Sequence, residues 1–405
     1  MRRVVVTGIG MINALGNNKS DSFKAICEGK SGVRRITLFN TEAHSVKIAA
    51  EVKDFDPTVF MDAKEVKKAD RFIQLGLKAA KEAMEDAGFD SLSQQESERF
   101  GVSSASGIGG LPTIQKNTEI FVEKGPRRIS PFFIPSALSN MLGGFASIYH
   151  NLKGPNLSNV TACTAGVHAI TESAKTIMIG GADRMMAITA EATICDIGVG
   201  GFASMKALST RNDEPEKSSR PFDKERDGFV MGEGSGVLIL EEYECAKKRG
   251  AKIYGEIVGF GESGDANHIT APTTDGPLRA MRAALDMSGL SSIDYVNAHG
   301  TSTPVNDKNE TAALKQAFGS NVPPISSTKG QTGHCLGAAG GIEAVISLMA
   351  LDSGLLPPTI NQESPDPDCD LDYIPNSPRE KKIGSVMSNS FGFGGTNGVI
   401  IFKKV

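Results

Sequence analysis

The 405-residue sequence contains no tryptophan and only five tyrosines, and its six cysteines (Cys27, Cys163, Cys195, Cys245, Cys335, Cys369) form no C-x-x-C pair. That spacing argues against a structural zinc site or a disulfide scaffold and favours reduced thiols in a cytosol. No apolar run approaches the roughly 20 residues that a membrane helix needs. The N-terminus, Met1 to Gly8, holds only Val4-Val5-Val6 before a turn, too little for the core of a secretion signal. A cytoplasmic location without a membrane partner is therefore expected. Charge of one sign is also missing: 43 basic and 47 acidic side chains leave a formal net charge of −4, which gives no general attraction to nucleic acid. Charged residues at 22% and hydrophobic residues at 40% exclude a disordered or fibrous chain.

Glycine is what the sequence has in excess, with 45 residues, a share that predicts tight turns and close backbone approaches. At roughly 150 residues per domain the length suggests two or three domains, or one large duplicated fold. Val4-Val5-Val6 followed by Thr7-Gly8-Ile9-Gly10 reads as a buried strand entering a glycine turn. The G-x-G is weak as a dinucleotide signature, because no third glycine and helix start follow at the required spacing. Lys64 to Ala87 reads as one amphipathic helix, with Phe72, Ile73, Leu77, Ala80 and Met84 on its apolar face and Gly88 as C-cap. Lys64, Lys67, Lys68 and Arg71 follow i, i+3, i+4, i+7 spacing and form a cationic stripe at its start, where cations oppose the helix dipole.

Strands alternate with helical stretches through the rest of the chain, the pattern of a layered α/β protein. The order of elements repeats. Val102-Ser103-Ser104 and Asn159 to Cys163 in the first half have counterparts in Tyr295 to Ala298 and Ile325 to Lys329 in the second. Two similar halves are expected, with a boundary near Gly250 to Gly264 and an active site between them.

Cys163 stands at a strand-to-helix junction, with Val167, Ile170, Ala174 and Ile177 continuing the helical period. A thiol at a helix N-terminus is expected to have a lowered pKa and nucleophilic character. His299, in Asn297-Ala298-His299-Gly300-Thr301, follows a strand, where side chains of α/β sheets converge on ligands. His334 is flanked by glycines ahead of a helix, and neither histidine lies on an apolar periodic face. His44, His150 and His168 are read as structural; His168 lies five residues beyond Cys163 and points about 140° away from it around the helix. Ser388 to Gly398 is a glycine-rich loop feeding a final strand, and its exposed N–H groups suit an oxyanion hole.

Four segments in this order carry a strong resemblance: Thr161-Ala162-Cys163-Thr164-Ala165-Gly166-Val167-His168; Asn297 to Pro304; Ser327-Thr328-Lys329 with Thr332-Gly333-His334; and Asn389-Ser390-Phe391-Gly392-Phe393-Gly394-Gly395-Thr396-Asn397. Arg226-Asp227-Gly228-Phe229 and Lys247 to Ala251 add to it. From Val4 to Lys403 the chain resembles the elongating β-ketoacyl-acyl-carrier-protein synthases, condensing enzymes of bacterial fatty acid synthesis with the thiolase-like fold.

The resemblance implies two duplicated α/β halves in a five-layered α-β-α-β-α arrangement, residues 1–250 with the nucleophilic cysteine and 251–405 with both catalytic histidines. It implies an acyltransferase that elongates fatty acid chains. Malonyl-acyl-carrier-protein would condense, with loss of carbon dioxide, onto an acyl group held as a thioester on Cys163. His299 and His334 would stabilise the enolate, the N–H groups of Cys163 and Phe393 would form the oxyanion hole, and Lys329 with Glu310 would be a supporting pair, with Asp307 also in support. Thr301 and Thr303 would line the pantetheine channel. Phe393 would be a gate, and Ile108, Phe202 and Phe391 would contact substrate. Acyl carrier protein would dock on Lys64, Lys67, Lys68, Arg71, Arg127, Arg128 and Lys206. Asn297, Glu343, Ser388 and Asn389 match positions that hold a structural monovalent cation. No cofactor is expected beyond the phosphopantetheine carried by the acyl carrier protein, and no catalytic metal; a homodimer is implied.

The sequence departs from the family pattern at Ala165, at Ile188-Thr189-Ala190-Glu191 and at Gly330-Gln331, which touches pocket shape and chain-length preference rather than any reacting group. Two rivals, a degradative thiolase and a non-catalytic partner subunit, are disfavoured by Lys329 with His334 and by the presence of Cys163, His299 and His334 together.

Overall fold

In the computed structural model, which describes residues 1–405, ten strands form one continuous mixed sheet. The strands are β1 (Val4–Asn13), β2 (Phe100–Ala105), β3 (Asn156–Asn159), β4 (Arg184–Glu191), β5 (Gly234–Glu242), β6 (Gly255–Gly264), β7 (Tyr295–Asn297), β8 (Ile325–Ser326), β9 (Ser385–Gly392) and β10 (Thr396–Lys403). Their spatial order is β8-β7-β9-β10-β6-β1-β5-β4-β2-β3. Read outward from the centre, the first five strands run first, fifth, fourth, second, third, and the last five run in the same order. The two sets join only where Val5 and Val6 of β1 pair with Glu256 and Gly255 of β6. The repeat seen in the sequence is thus a repeat of topology.

Helices complete the layers. α2 (Arg71–Asp86), preceded by the short α1 (Ala63–Val66), lies on the first set, α3 (Ala165–Met178) is followed in the chain by α4 (Asp275–Ser288) and α5 (Pro304–Phe318) on the second set, and α6 (Ala339–Ser353) ends the series. α3 and α6 pack against each other in the middle, so the order from outside to outside is α2, sheet, α3 with α6, sheet, α4 with α5. This is the five-layer thiolase-like arrangement. The segment Leu336–Ser353 has the length and apolarity of a membrane helix, with mean hydropathy 1.3, but 83% of it is buried inside the protein. It is the central core helix with its leading turn.

Two expectations are corrected here. Gly8 and Gly10 lie inside β1, which continues to Asn13; a Cβ on Gly10 would come within 2.0 Å of the Ala79 carbonyl oxygen, so these glycines admit α2 against the strand. The helix expected over Lys64 to Ala87 is two helices. Asp70 breaks it by capping α2, its Oδ1 accepting from the Phe72 N–H at 3.2 Å, while its Oδ2 accepts from Thr113.

Candidate active site

Cys163 sits in a one-turn 3-10 helix, Ala162–Thr164, that leads into α3. Ala162 has φ of +51°, the left-handed region that a residue with a Cβ rarely occupies, so the turn is strained at the nucleophile. Contacts from the other half hold it. Thr164 Oγ1 donates to the Thr396 carbonyl at 2.9 Å, and Thr396 Oγ1 donates to the Thr161 carbonyl at 3.1 Å. A Cβ on Gly392 would lie 3.1 Å from the Cys163 nitrogen, so only glycine lets the C-terminal hairpin approach this closely. The neighbouring Phe393 N–H has no protein acceptor.

His334 places Nε2 at 3.0 Å from Cys163 Sγ. The rings of His299 and His334 stand edge to face with centroids 5.4 Å apart, Phe229 packs on His334 and Phe391 on His299. Burial and the Lys329 charge hold both imidazoles well below their ordinary pKa, so both are neutral near pH 7. Burial also pushes the Cys163 thiol up to about 12, against the opposing pull of Lys329. The lowered thiol pKa expected from the helix N-terminus is therefore corrected: burial raises the thiol, and His334 Nε2 is the group within reach of its proton.

Lys329 is 1% exposed. Its Nζ donates to the His299 carbonyl at 2.6 Å and is paired with Glu343, not with Glu310 as the sequence suggested. Glu310 instead accepts from the His299 N–H at 2.9 Å, the Gly300 N–H at 2.8 Å and the Asn389 amide at 3.1 Å, fixing the backbone that carries His299. Burial raises both carboxyls to about 7. Asp307 accepts from the Phe222 N–H at 2.8 Å and lies 3.7 Å from Arg226, supporting the wall behind Thr303. The resemblance offered Glu343 as a cation-site position and not as the partner of Lys329. Its partner could not be read from spacing, because Lys329 and Glu343 meet through the turn between them.

A cavity of about 370 Å³ opens onto Cys163, His299 and His334. Phe202, Thr301, Thr303, Phe391 and Phe393 line it, with the Thr301 and Thr303 hydroxyls 2.9 Å apart and Phe202 tilted towards Phe393; Lys206, expected on a docking surface, also reaches its lining. Ile108 is not part of this wall and is 38% exposed. The loop from Asp265 to Pro272 lines the mouth and was missed by sequence reasoning. It is tied to the hairpin by Asn397 Nδ2 donating to Asp265 at 2.7 Å and Gly394 N–H donating to Ile269 at 2.7 Å.

Among the basic residues, Lys64, Lys67, Arg127, Arg128 and Lys206 are exposed and Lys68 is half-buried beside Glu65. Arg71 is corrected: it turns inward, donating through Nε and Nη2 to the fully buried Glu233, and is a structural cation. His44, His150 and His168 lie outside the cavity wall. Asn297 and Ser388 are register partners on adjacent strands. Both amide atoms of Asn297, Glu343 Oε2, Ser388 Oγ and Asn389 Oδ1 are buried without hydrogen-bond partners. Such an oxygen-rich set of orphaned atoms suits a small hard cation.

The comparisons agree with this geometry. Residues 1–246 match the model of the β-ketoacyl synthase N-terminal domain and residues 254–363 that of the C-terminal domain. A 3-oxoacyl-[acyl-carrier-protein] synthase 2 of Coxiella burnetii is 51% identical over 410 residues, covering 100% of this chain and 99% of the relative. A solved β-ketoacyl synthase from Burkholderia phymatum superposes with a TM-score of 0.94 at 36% identity over the whole of both chains. A type II polyketide ketosynthase, solved with its acyl carrier protein and bound to a hexaketide, superposes with a TM-score of 0.90 at 33% identity, again over both whole chains.

Proposed function

Because the chain belongs to the β-ketoacyl synthase family, we propose that its Cys163 and His334 form the nucleophile and base of the two-step reaction that follows. The protein is an acyltransferase that elongates fatty acids by condensation. The observation that carries the residue assignment is the 3.0 Å approach of His334 Nε2 to Cys163 Sγ inside a cavity also lined by His299.

In the first step Cys163 sulfur attacks the thioester carbonyl of an acyl carrier protein substrate. Its proton passes to His334 Nε2 and then to the departing pantetheine sulfur, which leaves a neutral imidazole and an acyl-enzyme. The Cys163 and Phe393 N–H groups bind the oxyanion, worth about 3 kcal/mol for each aligned donor. In the second step malonyl-acyl-carrier-protein loses carbon dioxide. His299 and His334, the latter now as its Nε2–H tautomer, donate hydrogen bonds to the enolate oxygen, and the enolate carbon attacks the acyl carbonyl. Cys163 sulfur departs and takes up a proton from solvent, and 3-oxoacyl-acyl-carrier-protein is released. The Lys329 contact to the His299 carbonyl keeps that ring in place.

Thr301 and Thr303 would hold the pantetheine arm, with Phe393 closing between acyl and malonyl half-sites and Phe202 and Phe391 against the substrate. The exposed Lys64, Lys67, Arg127, Arg128 and Lys206, with Lys68, give an acidic carrier protein a docking surface. The exposed edge of β3, with Leu157 at 42% exposure, is open to a second copy and supports a homodimer. Ile108 would then enter the acyl pocket only in that assembly. The orphaned oxygens of Asn297, Glu343, Ser388 and Asn389 would hold a monovalent cation that keeps Glu343 ionised. A cytosolic location follows from the carrier-protein chemistry.

The test is incubation with acyl-loaded carrier protein followed by intact mass measurement. A mass increase of one acyl group, lost in Cys163→Gln, is expected; an unmodified wild-type enzyme would overturn the assignment.

A further inference from the structure

Glu191, at the end of β4, is fully buried and has no lysine, arginine or histidine within ion-pair distance. Its carboxylate is held by neutral donors alone. Oε2 accepts from the Gly107 N–H at 2.6 Å and the Gly337 N–H at 3.0 Å; Oε1 accepts from Ser106 Oγ at 3.0 Å and the Ile108 N–H at 3.2 Å. An apolar side chain could fill the same volume without the cost of burying a carboxylate. The donors belong to two separate turns. Ser106 to Ile108 is the turn after β2, and Gly337 belongs to the Leu336–Ala338 turn, whose Leu336 lines the cavity with Cys163 and His334.

Leu336 has φ of +46° and Ala162 of +51°, so strained turns flank Cys163 on two sides. Such conformations persist only where the surroundings over-determine them. A Cβ on Gly337 would come within 2.1 Å of the Gly107 nitrogen, so the two turns touch directly at the shared oxygen. A Cβ on Gly107 would also lie 3.7 Å from the Ala162 carbonyl oxygen, which brings the nucleophile turn into the same contact set.

We propose that Glu191 is a positioning residue that sets the acyl half of the site, clamping the Ser106–Ile108 turn to the Leu336 wall so that chains reaching past Cys163 meet a fixed surface. This deepens the condensing-enzyme reading and rests on it. A glutamine at this position turns an amide N–H₂ towards backbone N–H groups, donor against donor, and releases one side of the clamp.

The experiment measures acylation of Cys163 by intact mass, using carrier protein loaded with short or long saturated chains, for wild type, Glu191→Gln and Ser106→Ala. The expected result is a long-to-short rate ratio about tenfold lower in Glu191→Gln, the scale of a sub-ångström misplacement. Ser106→Ala, which removes one donor and leaves three, shifts the ratio the same way by less. Equal losses for both chain lengths, or an unchanged ratio, would overturn the proposal. Where Glu191→Gln does not fold, Ser106→Ala decides on the same criterion. Failure of the wild type to acylate at all would instead sink the condensing-enzyme reading.

Discussion

Nε2 of His334 stands 3.0 Å from Sγ of Cys163, and burial keeps the thiol protonated up to about 12 and the imidazole neutral. A neutral pair therefore spans the physiological range. The rate of Cys163 alkylation by iodoacetamide is expected to show no step near pH 8.5, where an ordinary thiol titrates. His334→Ala removes the acceptor and should slow acylation about 10²–10⁴-fold. A wild-type titration step at or below pH 8.5 would contradict the neutral pair.

Lys329 depresses the pKa of both histidines. Removing its charge makes protonation easier, so the sign of the change is fixed: in Lys329→Met the acid limb of the condensation profile moves to higher pH. The wild type should show no inflection near 6.5 in kcat/KM. A variant profile unmoved on the pH axis would show that the lysine acts only as a strut.

Arg71 and Lys67 are close in sequence and opposite in role. Arg71→Ala leaves the fully buried Glu233 without its cation and should cost about 3 kcal/mol in urea unfolding. Lys67→Ala, at an exposed position, should stay within about 0.5 kcal/mol. Equal costs for the two would restore Arg71 to the surface set.

Charge reversal of Lys64 and Lys67 together should raise KM for carrier-protein substrates and leave kcat unchanged. The effect should shrink as salt is raised, because exposed charges act on encounter and are screened. Titration of the reaction from low to high ionic strength checks this.

Gly392→Ala places a Cβ 2.8 Å from Thr396 Oγ1, 2.9 Å from Thr164 Oγ1 and 3.1 Å from the Cys163 nitrogen. The hairpin and the nucleophile turn must separate. Acylation should fall about 10²-fold, the cost of a misplaced reacting group, and a wild-type rate would show that the turn has room to give.

Legibility followed locality. Cys163, His299, His334 and Lys329 stand in short segments of suggestive chemistry; the first three line one cavity and Lys329 lies behind it, bonded to the His299 carbonyl. Errors arose where the partner is set by tertiary packing rather than by residue type and spacing. Lys329 finds Glu343 rather than Glu310, and Arg71 finds Glu233. The Asp265 to Pro272 loop reaches the mouth through contacts to a hairpin more than a hundred residues away. Helical period alone also ran α1 and α2 together, because an N-cap such as Asp70 interrupts a helix without disturbing its apolar spacing.

By itself the sequence marked the candidate reacting groups, the duplicated order of elements and the glycines that permit close approach. Those properties reside in residue type and spacing. The tertiary structure alone decided the protonation of the site. A helix N-terminus promised a thiolate, but the packing that brings the halves together half-buries Cys163 and raises its thiol instead.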